Sequence, residues 1–385
     1  MSKLDELINQ LCSNGVDYKP LKAIAHYAKK RIDASQVDEN TYVGVENLLQ
    51  NKQGKTTATS VPKTGVVIAF EKDDILIGNI RPYLRKIWLA DNNGGTNGDV
   101  LAIQIENKAE LFPRFLYYVL SSESFFTFDI QNSKGAKMPR GSKDAVMNYA
   151  VPVPPLEVQR EIVRILDNFT ELTAELTAEL TARKEQYKYY KDELFCHVTD
   201  TPMKTLDSLC EISAGGDAPK DAISKEKTAT YPIPIISNGI GENALYGYTN
   251  TAKISDPAVT VAARGTIGYA EYRNYPYFPI VRLLTLIPKN RDELNTKYLY
   301  YCLQDKEYKV PTGGIPQLTA PMLKKIEIPL PNLDEQKRIV DILDRFDSLC
   351  NSIQSGLPAE IEARQKQYEY YRDKLLTFKE RNGDE

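Results

Sequence analysis

Histidine is almost missing from this 385-residue chain, which carries only His26 and His197. Its five cysteines, at positions 12, 196, 210, 302 and 350, form no CxxC pair, so metal-ligand spacing is lacking and reduced, packed thiols are expected. No run approaches the roughly 18 uncharged apolar residues of a membrane helix. Asp5 and Glu6 occupy the place where an export signal needs an apolar core, so a cytoplasmic protein without membrane contact is expected. No GxxxxGK[ST] loop marks an ATPase, no Asn-Pro-Pro-aromatic tetrapeptide or Gly-rich cofactor turn marks a methyltransferase, and no triad spacing marks a nucleophile. Catalytic, cofactor and metal residues are therefore expected to be absent. With 49 Lys and Arg against 52 Asp and Glu, the net charge of −3 excludes a uniformly basic coat. Any site for a polyanion must be local. What is present, 42% hydrophobic and 26% charged residues, suits two or three globular units at about 150 residues each.

The strongest positive feature is a long-period repeat. Pro154-Pro155-Leu156-Glu157-Val158-Gln159-Arg160-Glu161-Ile162-Val163-Arg164-Ile165-Leu166-Asp167-Asn168-Phe169 returns 177 positions later, through Pro331, Gln336, Ile339, Val340, Ile342, Leu343, Asp344 and Phe346. The run from Ala182 to Leu194, with Gln186-Tyr187-Lys188-Tyr189-Tyr190, returns 181 positions later as Ala363 to Leu375, with Gln367-Tyr368-Glu369-Tyr370-Tyr371. Fainter echoes link Phe115 to Leu120 with Tyr298 to Leu303, and Lys19-Pro20-Leu21 with Lys204-Thr205-Leu206. Variable blocks thus alternate with near-identical ones. The implied domains are 1–153, 154–197, 198–330 and 331–385.

Ile162, Leu166, Phe169, Thr173, Leu176, Leu180, Arg183, Tyr187, Tyr190 and Leu194 keep a 4,3,4,3 spacing, the seam of a coiled coil. The second copy keeps it from Ile339 through Cys350, Ile353 and Leu357. It then resumes from Ile361 to Phe378 after one extra step of four, a stutter that falls on Gly356-Leu357-Pro358. A break is expected there, with Pro358 in the first turn of a new helix. Residues 156–196 as one helix would be about 60 Å long. Two such helices in one chain, each following a globular domain, fit most economically as an antiparallel pair related by a pseudo-twofold axis. Both helical segments carry a net charge of −3, whereas the variable domains carry +2 and +1. Tyr187, Tyr189, Tyr190, Tyr368, Tyr370 and Tyr371 exceed what one seam buries. Tyrosine is enriched at interfaces, so further protein partners are expected on these helices.

Both variable domains read as α/β. Expected strands are Tyr42 to Glu46, Ile75 to Ile80, Lys86 to Ala90, Ile233 to Ile236, Ala258 to Ala262 and Arg282 to Ile287. Asn92 to Gly95 reads as a turn, and Leu111 to Leu120 and Leu294 to Leu303 as helices. Polar, Gly-rich loops recur at matched places: Lys134-Gly135-Ala136-Lys137-Met138-Pro139-Arg140-Gly141-Ser142 and Thr312-Gly313-Gly314-Ile315-Pro316-Gln317-Leu318-Thr319. Such loops let the backbone approach a duplex. Arg or Lys can bond guanine and Gln adenine in the major groove, and Ser, Thr and backbone N–H reach phosphates. Candidate DNA-binding residues are therefore Lys134, Lys137, Arg140, Ser142, Gln317 and Thr319. Arg81, Arg264 and Thr266, at strand ends, join them, although either arginine also suits a fold-stabilising ion pair. Asp99 followed by Glu106-Asn107-Lys108 offers a competing reading as a magnesium-dependent nuclease. A two-domain protein-binding scaffold is a further alternative.

The repeated helical motifs carry a resemblance. Pro-Leu-Glu-x-Gln-Arg-Glu-Ile-Val-x-Ile-Leu-Asp at 155–167, its copy near 333, both Gln-Tyr-x-Tyr-Tyr-x-Asp runs and the tandem Thr-Ala-Glu-Leu at 173–180 resemble the specificity (S) subunit of Type I restriction-modification enzymes. The resemblance spans nearly the whole chain. It implies an α/β fold with two globular target recognition domains separated by two long antiparallel coiled-coil helices. Each domain would read one half of a split double-stranded DNA target. The helices would dock two methyltransferase (M) subunits, joined by restriction/translocase (R) subunits. S-adenosylmethionine, ATP and Mg would then belong to partner subunits, consistent with a chain that carries no catalytic machinery. The tandem Thr-Ala-Glu-Leu suggests a ruler, since one further unit would add about 6 Å of helix.

Overall fold

The computed structural model describes residues 3–196, 201–310, 316–351 and 356–381. Two compact units emerge, Met1–Thr177 with Ile361–Glu385, and Ala178–Glu360. Each has its own sheets and core.

In the first unit, an antiparallel sheet has the order Ala25–Tyr27, Val100–Ile105, Ile75–Gly78, Ile87–Leu89. Its central strands are apolar at successive positions because both faces are covered. Ile75, Ile77, Leu101 and Ile103 meet a core with Phe115, Leu116 and Phe125, whereas Leu76, Val100 and Ala102 join Phe70 and Trp88 on the other side. A second sheet runs Arg31–Asp33, Val66–Phe70, Gly94–Thr96, Tyr42–Val43. The expected Asn92–Gly95 turn is shorter than its composition suggests, because Gly94 and Gly95 already belong to a strand. Glycine is needed there for space: a Cβ on Gly94 would lie 2.0 Å from the Thr41 carbonyl oxygen, and one on Gly95 2.5 Å from a Val67 methyl.

The second unit repeats the plan. Its main sheet is Cys210–Ala214, Leu284–Pro288, Ala258–Val261, Ala270–Arg273, packed on the helix Thr296–Leu303 through Val259, Val261, Leu286, Tyr298 and Leu299. Leu245–Thr249, Ile233–Ile236 and Phe278–Pro279 form the smaller sheet. In each unit a two-stranded ribbon ties the start of the domain to its end: Tyr18–Pro20 with Ala150–Pro152, and Met203–Thr205 with Glu327–Pro329.

Residues 156–196 form one continuous 41-residue helix, Leu156–Cys196. Its counterpart is two helices, Leu333–Asn351 and Leu357–Leu375, the latter with Pro358 in its first turn as the Gly-Leu-Pro step predicts. Ile353 lies outside the described residues. In the first unit Phe169 stacks on Tyr371, with ring centroids 5.6 Å apart and planes 19° apart. In the second, Tyr187 and Tyr190 pack on Phe346 at 6.2 and 5.7 Å. The early half of the long helix thus meets the last helix and the late half meets the preceding one, the order an antiparallel pairing requires.

The near-identical residues of the repeat turn out to clamp helix to domain. The buried amide of Gln159 accepts from the Phe112 N–H at 2.8 Å and donates to the carbonyls of Glu110 and Pro154 at 2.8 and 2.7 Å. Gln336 accepts from the Asn295 N–H at 2.8 Å and donates to the carbonyls of Glu293 and Pro331 at 2.8 and 2.9 Å. One helical turn or more further on, Asp167 receives Tyr118 Oη and Arg114 Nε at 2.5 and 2.8 Å; Asp344 receives Tyr301 Oη and Lys297 Nζ at 2.5 and 2.7 Å. Buried polar groups persist when fully bonded, which both copies achieve.

Candidate nucleic-acid interface

The Lys134–Ser142 loop is an exposed hairpin closed by a bridge between Lys134 and Arg140, with Gly135 at φ 104°. Gly141 N–H donates to the Asn79 carbonyl at 3.0 Å, and Arg81 N–H donates to the Pro139 carbonyl at 2.7 Å. These bonds bring Arg81, Lys134, Lys137, Arg140 and Ser142 onto one surface. Arg81 sits in the left-handed region at φ 54°, a conformation that costs a non-glycine residue about 1 kcal/mol or more and recurs at functional sites. Arg140 pairs with Asp99 at 3.1 Å. Lys134 and Lys137 are exposed and make no ion pair among the described residues. Ser142 caps the helix Lys143–Asn148, its Oγ accepting from Ala145 N–H at 3.3 Å.

Below this loop lies a feature without an evident sequence signal. Asp129 and Asn79 are 2% and 4% exposed, and neither side-chain oxygen Oδ1 has a hydrogen-bond partner among the described residues. A Cβ on Gly141 would stand 2.6 Å from the one and 2.9 Å from the other. Burial pushes the Asp129 carboxyl up to about 6.

The second unit builds the same junction with different side chains. Leu318 N–H donates to the Ala263 carbonyl at 3.0 Å, matching Gly141 and Asn79. Arg264, on the turn between Ala258–Val261 and Ala270–Arg273, donates through Nε and Nη2 to Gln317 Oε1 at 3.2 and 2.8 Å. Asn238 fastens the neighbouring loops: its Oδ1 accepts from Ala263 N–H and its Nδ2 donates to the Val281 carbonyl, both at 2.7 Å. Val281 and Arg282 both adopt positive φ, 54° and 61°. Thr319 precedes the helix Ala320–Lys324 without a side-chain capping bond, whereas the Thr266 hydroxyl is buried and without a partner among the described residues. Residues 312–315 of the matching loop lie outside the described residues. Asn238 was visible in sequence only as part of an Asn-Gly pair, an ordinary turn signal.

On the helices, Tyr189 and Tyr370 are 64% and 63% exposed, while Tyr190 and Tyr371 remain partly exposed as they cover Phe346 and Phe169. Tyr187 and Tyr368 turn inward: Tyr187 Oη donates to Gln304 Oε1 at 2.9 Å, and Tyr368 packs on the first unit's core beneath Arg372. The nuclease constellation comes apart. Asp99 and Glu106 flank the strand Val100–Ile105, about 23 Å apart at strand rise. Asp99 pairs with Arg140, Glu106 with His26 at 2.7 Å, and Lys108 with Asp73 at 3.6 Å. No group of three or more metal-binding side chains occurs among the described residues.

The model of the Type I restriction modification DNA specificity domain matches residues 14–185 and again 200–363. The chain belongs to this family of specificity subunits. A type I specificity subunit of Mycoplasma pneumoniae is 34% identical over 312 residues, 77% of this chain and 91% of the relative. One of Haemophilus influenzae is 33% identical over 391 residues, 94% of this chain and 96% of the relative. Among solved structures, the S subunit of a type I restriction-modification system from M. genitalium shares the fold with a TM-score of 0.60 at 14% identity, covering 94% of this chain and 96% of that one. A specificity subunit is a DNA-recognition component of a restriction-modification system. No described helix is long and apolar enough to cross a membrane.

Proposed function

We propose that this chain reads a bipartite duplex target in the cytoplasm, one half-site per recognition domain, and scaffolds two methyltransferase subunits and the restriction subunits. The duplicated loop junction carries this reading: Gly141 on Asn79 and Leu318 on Ala263 hold two equivalent backbones that display different polar side chains. Arg81, Lys134, Lys137, Arg140 and Ser142 serve one half-site; Arg264, Gln317 and Thr319, with Thr266 behind them, serve the other. The exposed faces at Tyr189, Tyr190, Tyr370 and Tyr371 dock the methyltransferases, while Tyr187 and Tyr368 brace those faces from within. Adenine methylation with S-adenosylmethionine and ATP- and Mg-dependent translocation and cleavage then take place in the partner subunits. Net charges of only +2 and +1 on the two variable domains mean that partners supply many phosphate contacts and that affinity falls steeply with salt.

Coexpression with a cognate methyltransferase followed by sequencing of methylated sites tests the proposal. A split motif with one methylated adenine in each half is expected. A complex that binds no duplex and leaves no methylated motif would instead favour a protein-binding scaffold.

A further inference from the structure

The Arg264–Gln317 pair limits which base it can read. A guanidinium is a donor only, so the amide oxygen of Gln317 must be the atom that faces Arg264, as the two bonds at 3.2 and 2.8 Å require. Reading adenine demands that Gln offer both its oxygen, to N6–H, and its nitrogen, to N7. Here the oxygen is engaged. What remains on the outward edge is the Gln317 Nε2 hydrogens and the free Arg264 N–H groups, all donors. The pair is held in place by the backbones that carry it, because Ala263 O accepts from Leu318 N–H and Ala263 N–H donates to Asn238. Both side chains are only partly buried, so that edge is open to a ligand.

A row of donors matches acceptors alone. In the major groove, guanine offers two on one edge, N7 and O6. We infer that Arg264 and Gln317 act as one unit that reads a guanine in the half-site taken by residues 178–360. The inference rests on the proposed DNA-reading role and adds the base to it. A backbone phosphate also accepts only, and the experiment separates the two.

The complete complex with its methyltransferase is titrated with duplexes of the methylated motif in which each guanine in turn is replaced by 7-deazaguanine, which lacks the N7 acceptor. One guanine is expected at which replacement weakens binding about tenfold. In Gln317→Glu, which can keep the bond to Arg264 but loses the amide donors, that sensitivity disappears while the other half-site is unchanged. The inference is overturned if every 7-deazaguanine duplex binds the wild-type complex like the parent, or if Gln317→Glu retains the sensitivity. The first of these measurements needs no variant. A wild-type complex that methylates no split motif would instead defeat the DNA-reading role itself.

Discussion

Asp129→Asn is expected to stabilise the first unit, and to do so only above acidic pH. The carboxyl is 2% exposed, makes no ion pair among the described residues, and faces Asn79 across Gly141. Burial raises it from the ordinary 3.8 to about 6. Between those values the folded chain holds a proton that the unfolded chain has released, so stability falls as pH rises through this window and stays low above it. At about 1.36 kcal/mol per pH unit the carboxylate costs roughly 3 kcal/mol at pH 7.5, and under ~1 kcal/mol at pH 4. An amide of the same shape removes the ionisation and supplies a donor beside Asn79. The assay is built into the chain, because its single tryptophan, Trp88, is buried against Phe70 in the same unit. Urea unfolding followed by Trp88 fluorescence should show the variant more stable at pH 7.5, with the gain shrinking towards pH 4. An equal gain at both pH values, or none at pH 7.5, would refute the reasoning.

Gln159→Leu orphans one N–H and two carbonyls at about 1–3 kcal/mol each, so the Trp88 transition should lose about 3 kcal/mol or more; a loss below ~1 kcal/mol would show that Gln159 does not clamp the helix. Lys137→Ala should lower the slope of log affinity against log salt by about one and leave the methylated motif unchanged; a changed motif would assign it to a base. The double variant Tyr189→Ala, Tyr370→Ala should stay within about 0.5 kcal/mol in stability yet fail to copurify the methyltransferase, and unaltered copurification would remove these residues from that interface. A third Thr-Ala-Glu-Leu inserted after Leu180 should lengthen the spacer in the methylated motif without altering either half-site; an unaltered spacer would reject the ruler.

Much of the scaffold was legible because it rests on periodicity. The 4,3 rhythm predicted the helix Leu156–Cys196 and put Tyr187, Tyr190, Tyr368 and Tyr371 in the seam. Tyr189 and Tyr370 fall off it and are the more exposed. Boundaries moved where local chemistry intervened. Helices expected from Leu111 and Leu294 begin at Pro113 and Thr296, the second capped by Asn295 Oδ1. The strand expected to reach Ile80 stops at Gly78, because Asn79 and Ile80 turn to meet the loop at Arg140 and Gly141. Of the second sheet in each unit only one strand was expected, Tyr42–Val43 and Ile233–Ile236, because the others, two to five residues long, leave too little alternation to detect. At the site, the matched loops were visible as a repeat, but the bond from Arg264 to Gln317 joins residues 53 apart, for which no local pattern exists.

Comparing the two halves of one chain separates geometry from specificity. Where the repeated helices clamp their domains, the halves agree: Gln159 and Gln336, Asp167 and Asp344, Tyr118 and Tyr301 make matching bonds. At the loop junction they differ: Asn79 against Ala263, Arg140 against Gln317, Gly141 against Leu318 and Ser142 against Thr319 stand on a backbone bond common to both. A stability requirement would fall on both copies alike, since their cores and clamps are built alike. Difference concentrated at the loop junction is what the proposed readers of two unlike half-sites need. On the proposed reading, exposed loop residues such as Arg140 are therefore free to change what is read, because the clamps and the shared backbone bond hold the loop in place.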